Sequence, residues 1–111
     1  PIKIKYAIKR YTDEVNRLYG VMNKQLKKNE FLAGRYSIAD MACWGWIIPW
    51  KNQGQKISDF PHLKRWFEKV GQRPAVIKGF AAGKEMRKQL LSENTKEAKK
   101  AKSILFNQRS R

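Results

Sequence analysis

The apolar positions Ile8, Tyr11, Val15, Leu18, Tyr19, Met22 and Leu26 recur in steps of three and four. Such steps wind a single stripe along a helix, so residues near 4–29 are expected to form one amphipathic helix. Lys27, Lys28 and Asn29 suit its C-terminal end, two cations against the negative pole and an asparagine as cap. Gly20, inside this helix, costs about 1 kcal/mol relative to alanine, which points to close approach of a neighbouring helix.

The pattern then changes. Residues 31–46, FLAGRYSIADMACWGW, carry only two charges, Arg35 and Asp40, and from Met41 to Trp50 there are none. In Ser37-Ile-Ala-Asp40 the serine hydroxyl is spaced to accept from the Asp40 N–H, and the Asp40 carboxylate to accept from the Ser37 N–H. This is a capping box with Asp in the usual place of Glu. Tyr36 and Met41 flank it at the spacing of a hydrophobic staple. The uncharged run beyond is expected to be the buried central helix of the fold. A catalytic role for Asp40 has no second acid or histidine to support it.

Further on, Asp59-Phe60-Pro61 precedes Leu63, Trp66, Phe67 and Val70, which predicts a short helix over about 61–71 with proline near its first position. Arg73-Pro74 ends it and starts another, carrying Val76, Ile77 and Phe80 and continuing with interruptions through Met86, Leu90 and Leu91. After Ser92 the apolar content falls, so the tail reads as frayed or weakly helical, with Ile104-Leu105-Phe106 as its one sticky spot. No segment alternates with the period of a strand. The expected fold is all-α, in one domain over 1–83 and a basic, partly helical or disordered tail over 84–111.

Composition sharpens this reading only modestly. The chain has 111 residues, 41% of them hydrophobic and 31% charged, with 25 Lys and Arg against 9 Asp and Glu. The net charge of +16 invites nucleic acid as a partner. Yet residues 1–30, 31–83 and 84–111 carry 8, 8 and 9 positive charges and 3 negative charges each. That even spread reads as a solvated lysine-rich surface rather than as one binding face. No stretch is long and apolar enough to cross a membrane. The opening residues PIKIKYAIKR lack the features of an export signal, so a cytoplasmic location is expected.

Sites for chemistry are scarce. HExxH, CxxC, GxxxxGK and GxGxxG motifs do not occur. His62 and Cys43, the only histidine and cysteine, lie nineteen positions apart, too few and too far for a metal set, so no metal is expected. His62 follows a helix-starting proline and reads as a solvent-facing side chain. Cys43 lies in the apolar helix, where burial raises a thiol pKa and blunts its reactivity. Trp44, Trp46, Trp50 and Trp66 read as core, with the option of lining an apolar pocket.

Three ordered blocks, RYTDEVNRLYGVMNKQL, FLAGRYSIADMACWGWIIPWKNQGQ and DFPHLKRWFEKVGQRPAVIKGF, nevertheless resemble a known family. They are similar to the C-terminal helical domain of cytosolic glutathione transferases, most of all the bacterial nu-class group that reduces disulfides with glutathione. The likeness runs from about Tyr6 to Phe80. It implies a helical bundle of that type lacking its first helix, with glutathione as co-substrate and a small electrophile or disulfide as the second one. It further implies a partner thioredoxin-like domain, absent here, that supplies the thiolate-stabilising donor, and a homodimer in the intact family. By position, Arg10 and Arg17 become candidates to grip a glutathione carboxylate, and Tyr6, Trp44 and Trp46 candidates for the co-substrate wall. The chain departs from the subgroup at Lys5, where proline is usual, and at Lys9, where an acid is. On this resemblance the 111 residues alone are not expected to catalyse. The alternative is a non-catalytic helical interaction module whose basic tail binds RNA or an acidic protein.

Overall fold

The structure is a computed structural model that describes residues 3–91 and, beyond them, Lys96, Lys99, Lys100, Ser103 and Ile104. Most of the expected tail after Ser92 lies outside the described residues. Four helices follow one another: α1 (Lys5–Lys28), α2 (Ile38–Ile47), α3 (Pro61–Gly71) and α4 (Pro74–Leu91), with a 3-10 turn (Ile57–Asp59) ahead of α3. Among the described residues there is no strand. The all-α expectation therefore holds, and the limits of α1, α3 and α4 fall within one residue of the sequence reading, whereas α2 ends at Ile47, three residues short of the uncharged run's end at Trp50. The chain forms two compact units, residues 1–73 and 74–111. The second begins with Pro74 at the first position of α4, where proline's missing N–H costs nothing.

In the first unit α3 is the hub, packing against α1, α2 and the 3-10 turn. Leu63, Trp66 and Val70 recur at steps of three and four, and all three are fully buried. Each such burial is worth about 1.5–3 kcal/mol. From α1 the stripe delivers Tyr19 and Leu26 to this core, with Phe31, Ile47, Ile57 and Phe60 added from the other elements. Tyr19 meets Phe60 edge to face, ring centroids 5.6 Å apart.

The expectation that α2 is the buried central helix is overturned. Only Asp40 and Ile47 of α2 are buried, while Ile38, Met41 and Trp46 are exposed. One face of α2 meets α3, and an uncharged sequence is buried only where something packs on it. The Gly20 expectation is also corrected, because a Cβ built there would meet nothing within 4 Å. The glycine that does allow close approach is Gly71, whose Cβ would lie 3.2 Å from Cζ2 of Trp44.

The start of α3 and the end of α1 are finished by side chains from elsewhere in the fold. Oδ1 of Asn23, on α1, accepts from the backbone N–H groups of His62 at 2.9 Å and Leu63 at 3.0 Å, capping the start of α3. In return Nη2 of Arg65, on α3, donates to the carbonyls of Leu26 at 2.8 Å and Asn29 at 2.9 Å, capping the end of α1. The loop between α2 and α3 is pinned to α1 by glutamines. Gln55, buried, accepts from Asn16 and donates to the Thr12 carbonyl, each at 3.0 Å, and Gln53 accepts from the Tyr19 hydroxyl at 2.6 Å. Gly54 between them has φ +69°, the left-handed conformation that favours glycine.

Candidate functional site

The start of α2 is a densely bonded point of the fold. Ser37 Oγ accepts from the Ala39 N–H at 3.3 Å and forms a capping box with Asp40, whose Oδ2 accepts from the Ser37 N–H at 2.9 Å. Oδ1 of Asp40 accepts two further bonds, from the Leu32 N–H at 3.0 Å and the Trp66 indole N–H at 2.7 Å. Asp40 is fully buried, which by itself raises the pKa of its carboxyl. The bonds from Leu32, Trp66 and Ser37 outweigh that burial and hold the carboxyl below its ordinary value. The side chain that opens α2 thus also ties the 31–36 loop and α3 to it. Tyr36 is engaged by Phe31, edge to face at 5.5 Å, and by the Arg73 guanidinium 3.6 Å from its ring centroid. Met41, its expected staple partner, is 58% exposed.

The candidate co-substrate residues fall in different settings. Trp44 holds α2 to α3: its indole N–H donates to the Phe67 carbonyl at 3.0 Å, and its ring stacks on Phe67 at 5.6 Å. Trp46 is 76% exposed and lines an apolar groove of about 240 Å³ between α1 and α2, together with Leu18, Met22 and Cys43. Burial and the nearby Asp40 charge push the Cys43 thiol up, away from nucleophilic character. Tyr6 stands at the first turn of α1 and is 79% exposed. His62 is half-buried, and its backbone N–H is the group Asn23 caps.

Arg10 and Arg17 lie two turns apart on one face of α1, with Glu14 between them. Arg17 grips Glu14 with both Nε and Nη2, at 2.9 and 2.8 Å, whereas Arg10 only approaches it at 4.0 Å. The bond to Arg17 lowers the Glu14 pKa and raises that of Arg17. Arg17 is therefore largely committed, and Arg10 keeps donors to spare. Among the described residues no group of three His, Cys, Asp or Glu side chains is placed to hold a metal ion, and no helix is long and apolar enough to cross a membrane.

Residues 4–74 match the family described as glutathione S-transferase, C-terminal domain. The chain belongs to this family. Relatives agree with that placement. Over 77 residues it is 46% identical to the disulfide-bond oxidoreductase YfcG of Escherichia coli, covering 68% of this chain and 36% of the relative. The disulfide-bond oxidoreductase YghU of the same organism is 42% identical over 87 residues, covering 71% and 30%. A glutathione S-transferase-like protein, tpcF of Aspergillus fumigatus, is 34% identical over 97 residues, covering 71% and 41%. The chain spans about a third of the length of these relatives. The glutathione transferase resemblance read from FLAGRYSIAD and its neighbouring blocks is thereby borne out. The anchoring of Asp40 to Trp66 was not foreseen, although both residues stood in the quoted blocks.

Proposed function

We propose that this chain is the co-substrate side of a glutathione-dependent disulfide reductase or transferase, with glutathione as the reductant or nucleophile. The observation that carries the reading is the similarity over residues 4–74 to a glutathione transferase C-terminal domain, with two disulfide-bond oxidoreductases among the relatives. The step such chemistry rests on is stabilisation of the glutathione thiolate by a positioned donor. In this reading that donor belongs to a thioredoxin-like domain acting with the chain, and the working unit is a homodimer.

Within the chain, Arg10 binds a glutathione carboxylate, because its guanidinium is exposed and only loosely engaged by Glu14. Arg17 takes the lesser part, since binding there competes with its two bonds to Glu14. Trp46 and Tyr6 contribute apolar surface for the second substrate. Trp44 contributes indirectly, by fixing α2 against α3. The alternative of a basic interaction module gains no support from the relatives.

The test joins the chain to a glutathione-binding thioredoxin-like domain and measures reduction of a small model disulfide. Turnover is expected in the joined protein and not in the 111 residues alone. Arg10→Ala is expected to raise KM for glutathione about tenfold, the worth of one charge-assisted contact, and Arg17→Ala to raise it less. A joined protein that binds no glutathione, or an unchanged KM in Arg10→Ala, overturns the assignment concerned.

A further inference from the structure

A half-open pocket of about 370 Å³ lies between the end of α1 and the flank of α3, a part of the fold that the glutathione reading leaves unused. Its lining is Lys27, Lys28, Asn29, Glu30, Arg65 and Lys69, four cations against one acid. Every residue of this lining is polar, so the pocket offers a ligand charge and hydrogen bonds rather than apolar surface.

Helix-end chemistry accounts for only part of this charge. Cations suit the negative pole of α1, but its closing carbonyls at Leu26 and Asn29 already accept from Arg65 Nη2, at 2.8 and 2.9 Å. Among the described residues, the Lys27 and Lys28 ammonium groups have no ion-pair or hydrogen-bond partner. Glu30 is taken up by Lys69, which bridges to it from α3 and stands 5.7 Å from the Phe31 ring centroid. That pair offsets itself, which leaves Lys27, Lys28 and Arg65 as three uncompensated positive charges around one small hollow. The Arg65 guanidinium is also fixed in advance, because both carbonyl bonds use Nη2 and leave Nε and Nη1 to donate elsewhere. A donor already held by the fold loses less freedom when a ligand arrives.

We infer that this pocket binds a small compound bearing a diphosphate. A terminal phosphate carries about −1.5 to −2 at neutral pH and a bridging one adds about one more charge, so a diphosphate matches the excess of the lining. The cations come from two helices, two from the last turn of α1 and one from α3. Tetrahedral phosphates present oxygens in several directions to such a set, whereas a carboxylate presents two in one plane. The volume lies at the small end of ligand pockets, room for the diphosphate and one modest group attached to it. A nucleic-acid strand would need a stripe of cations that tracks its backbone, and this cluster is confined to one hollow.

The test titrates the 111-residue chain with pyrophosphate at constant ionic strength and follows its N–H signals by nitrogen-15 NMR. The backbone signals of residues 27–30 and the Arg65 Nε–H are expected to shift saturably. The Trp66 indole N–H, held by Asp40, should stay in place and report that the fold is intact. Orthophosphate is expected to bind about tenfold more weakly, the worth of one charge-assisted contact. Citrate, of similar charge but built from planar carboxylates, should also bind more weakly than pyrophosphate. Lys28→Gln should weaken pyrophosphate roughly three- to fivefold, the upper range for an exposed ion pair. Lys51→Gln removes the same charge from outside the pocket and should leave the affinity unchanged. Equal effects of the two variants, or shifts spread over the lysines of the whole surface, would mean that pyrophosphate only joins the ion atmosphere, and would overturn the inference. So would citrate binding as tightly as pyrophosphate, a single-stranded RNA shifting the same signals at lower concentration, or no saturable shift at millimolar pyrophosphate.

Discussion

Asp40→Ala removes a fully buried carboxylate on which the Leu32, Ser37 and Trp66 N–H groups converge. Each orphaned buried donor costs about 1–3 kcal/mol, and neighbouring groups relax in part, so the expected loss is about 3–5 kcal/mol. A folded unit of the size of residues 1–73 has only about 4–11 kcal/mol of stability in total. Asp40→Asn is gentler. Its Oδ1 still accepts from Leu32 and Trp66, but its amide hydrogens face the Ser37 N–H, and the expected loss is about 2–4 kcal/mol. Urea unfolding followed by circular dichroism measures both. Trp66→Phe, which deletes one donor and keeps most of the ring, should cost about 1–2 kcal/mol, and its effect should couple to that of Asp40→Asn by about 1 kcal/mol. A loss below about 1 kcal/mol in Asp40→Ala, or strict additivity in the double variant, would refute the argument. Acid adds an independent check. The folded carboxyl titrates below its ordinary value, so the unfolded chain takes up the proton first as pH falls. Asp40's contribution is therefore full above the unfolded carboxylate value near 4 and is lost as pH drops through the lower folded value. Asp40→Asn should show a shallower loss of stability on the acid side.

Other expectations follow from the same geometry. Asn23→Ala strips both side-chain bonds from the start of α3 and should cost about 1–2 kcal/mol in urea unfolding, while Asn23→Asp should be tolerated. Gly54→Ala forces a Cβ into a residue at φ +69° and to within 3.3 Å of Thr12 Cγ2, for an expected loss of about 1–2 kcal/mol, readable as a lowered thermal midpoint. Burial pushes the Tyr19 hydroxyl up to about 12, so an ultraviolet titration should show a phenol ionising near that value that Tyr19→Phe removes. Since the unfolded tyrosine ionises near 10, Tyr19 should draw stability down as pH rises from about 10 towards 12, and Tyr19→Phe should flatten that decline.

The helix positions were legible because they rest on local chemistry. The stripe from Ile8 to Leu26, the Ser37-Asp40 box, and Pro61 and Pro74 at helix starts each act within a few residues of themselves. Burial was less legible, because hydrophobic spacing says which residues share a face and not what lies against it. Met41 to Trp50 read as buried through lack of charge, yet Met41 and Trp46 lie open while the more charged α3 buries Leu63, Trp66 and Val70. Long-range polar partners left no trace in the pattern either. Nothing in the spacing of Asn23 and His62, 39 positions apart, announces a cap, nor does any motif join Asp40 to Trp66. For the candidate site, the resemblance pointed to Arg10 and Arg17 together, and the geometry separates them through Glu14.

The exchange of caps between α1 and α3 ties together two events that are usually separate. In most helices the ends fray alone, each opening at little cost to the rest. Here the last turn of α1 cannot open without releasing the Arg65 guanidinium, and the first turn of α3 cannot open without releasing Asn23. The two ends are therefore expected to open together. Amide hydrogens there should exchange with solvent at closely matched rates, although some 39 residues of chain separate Asn23 from His62.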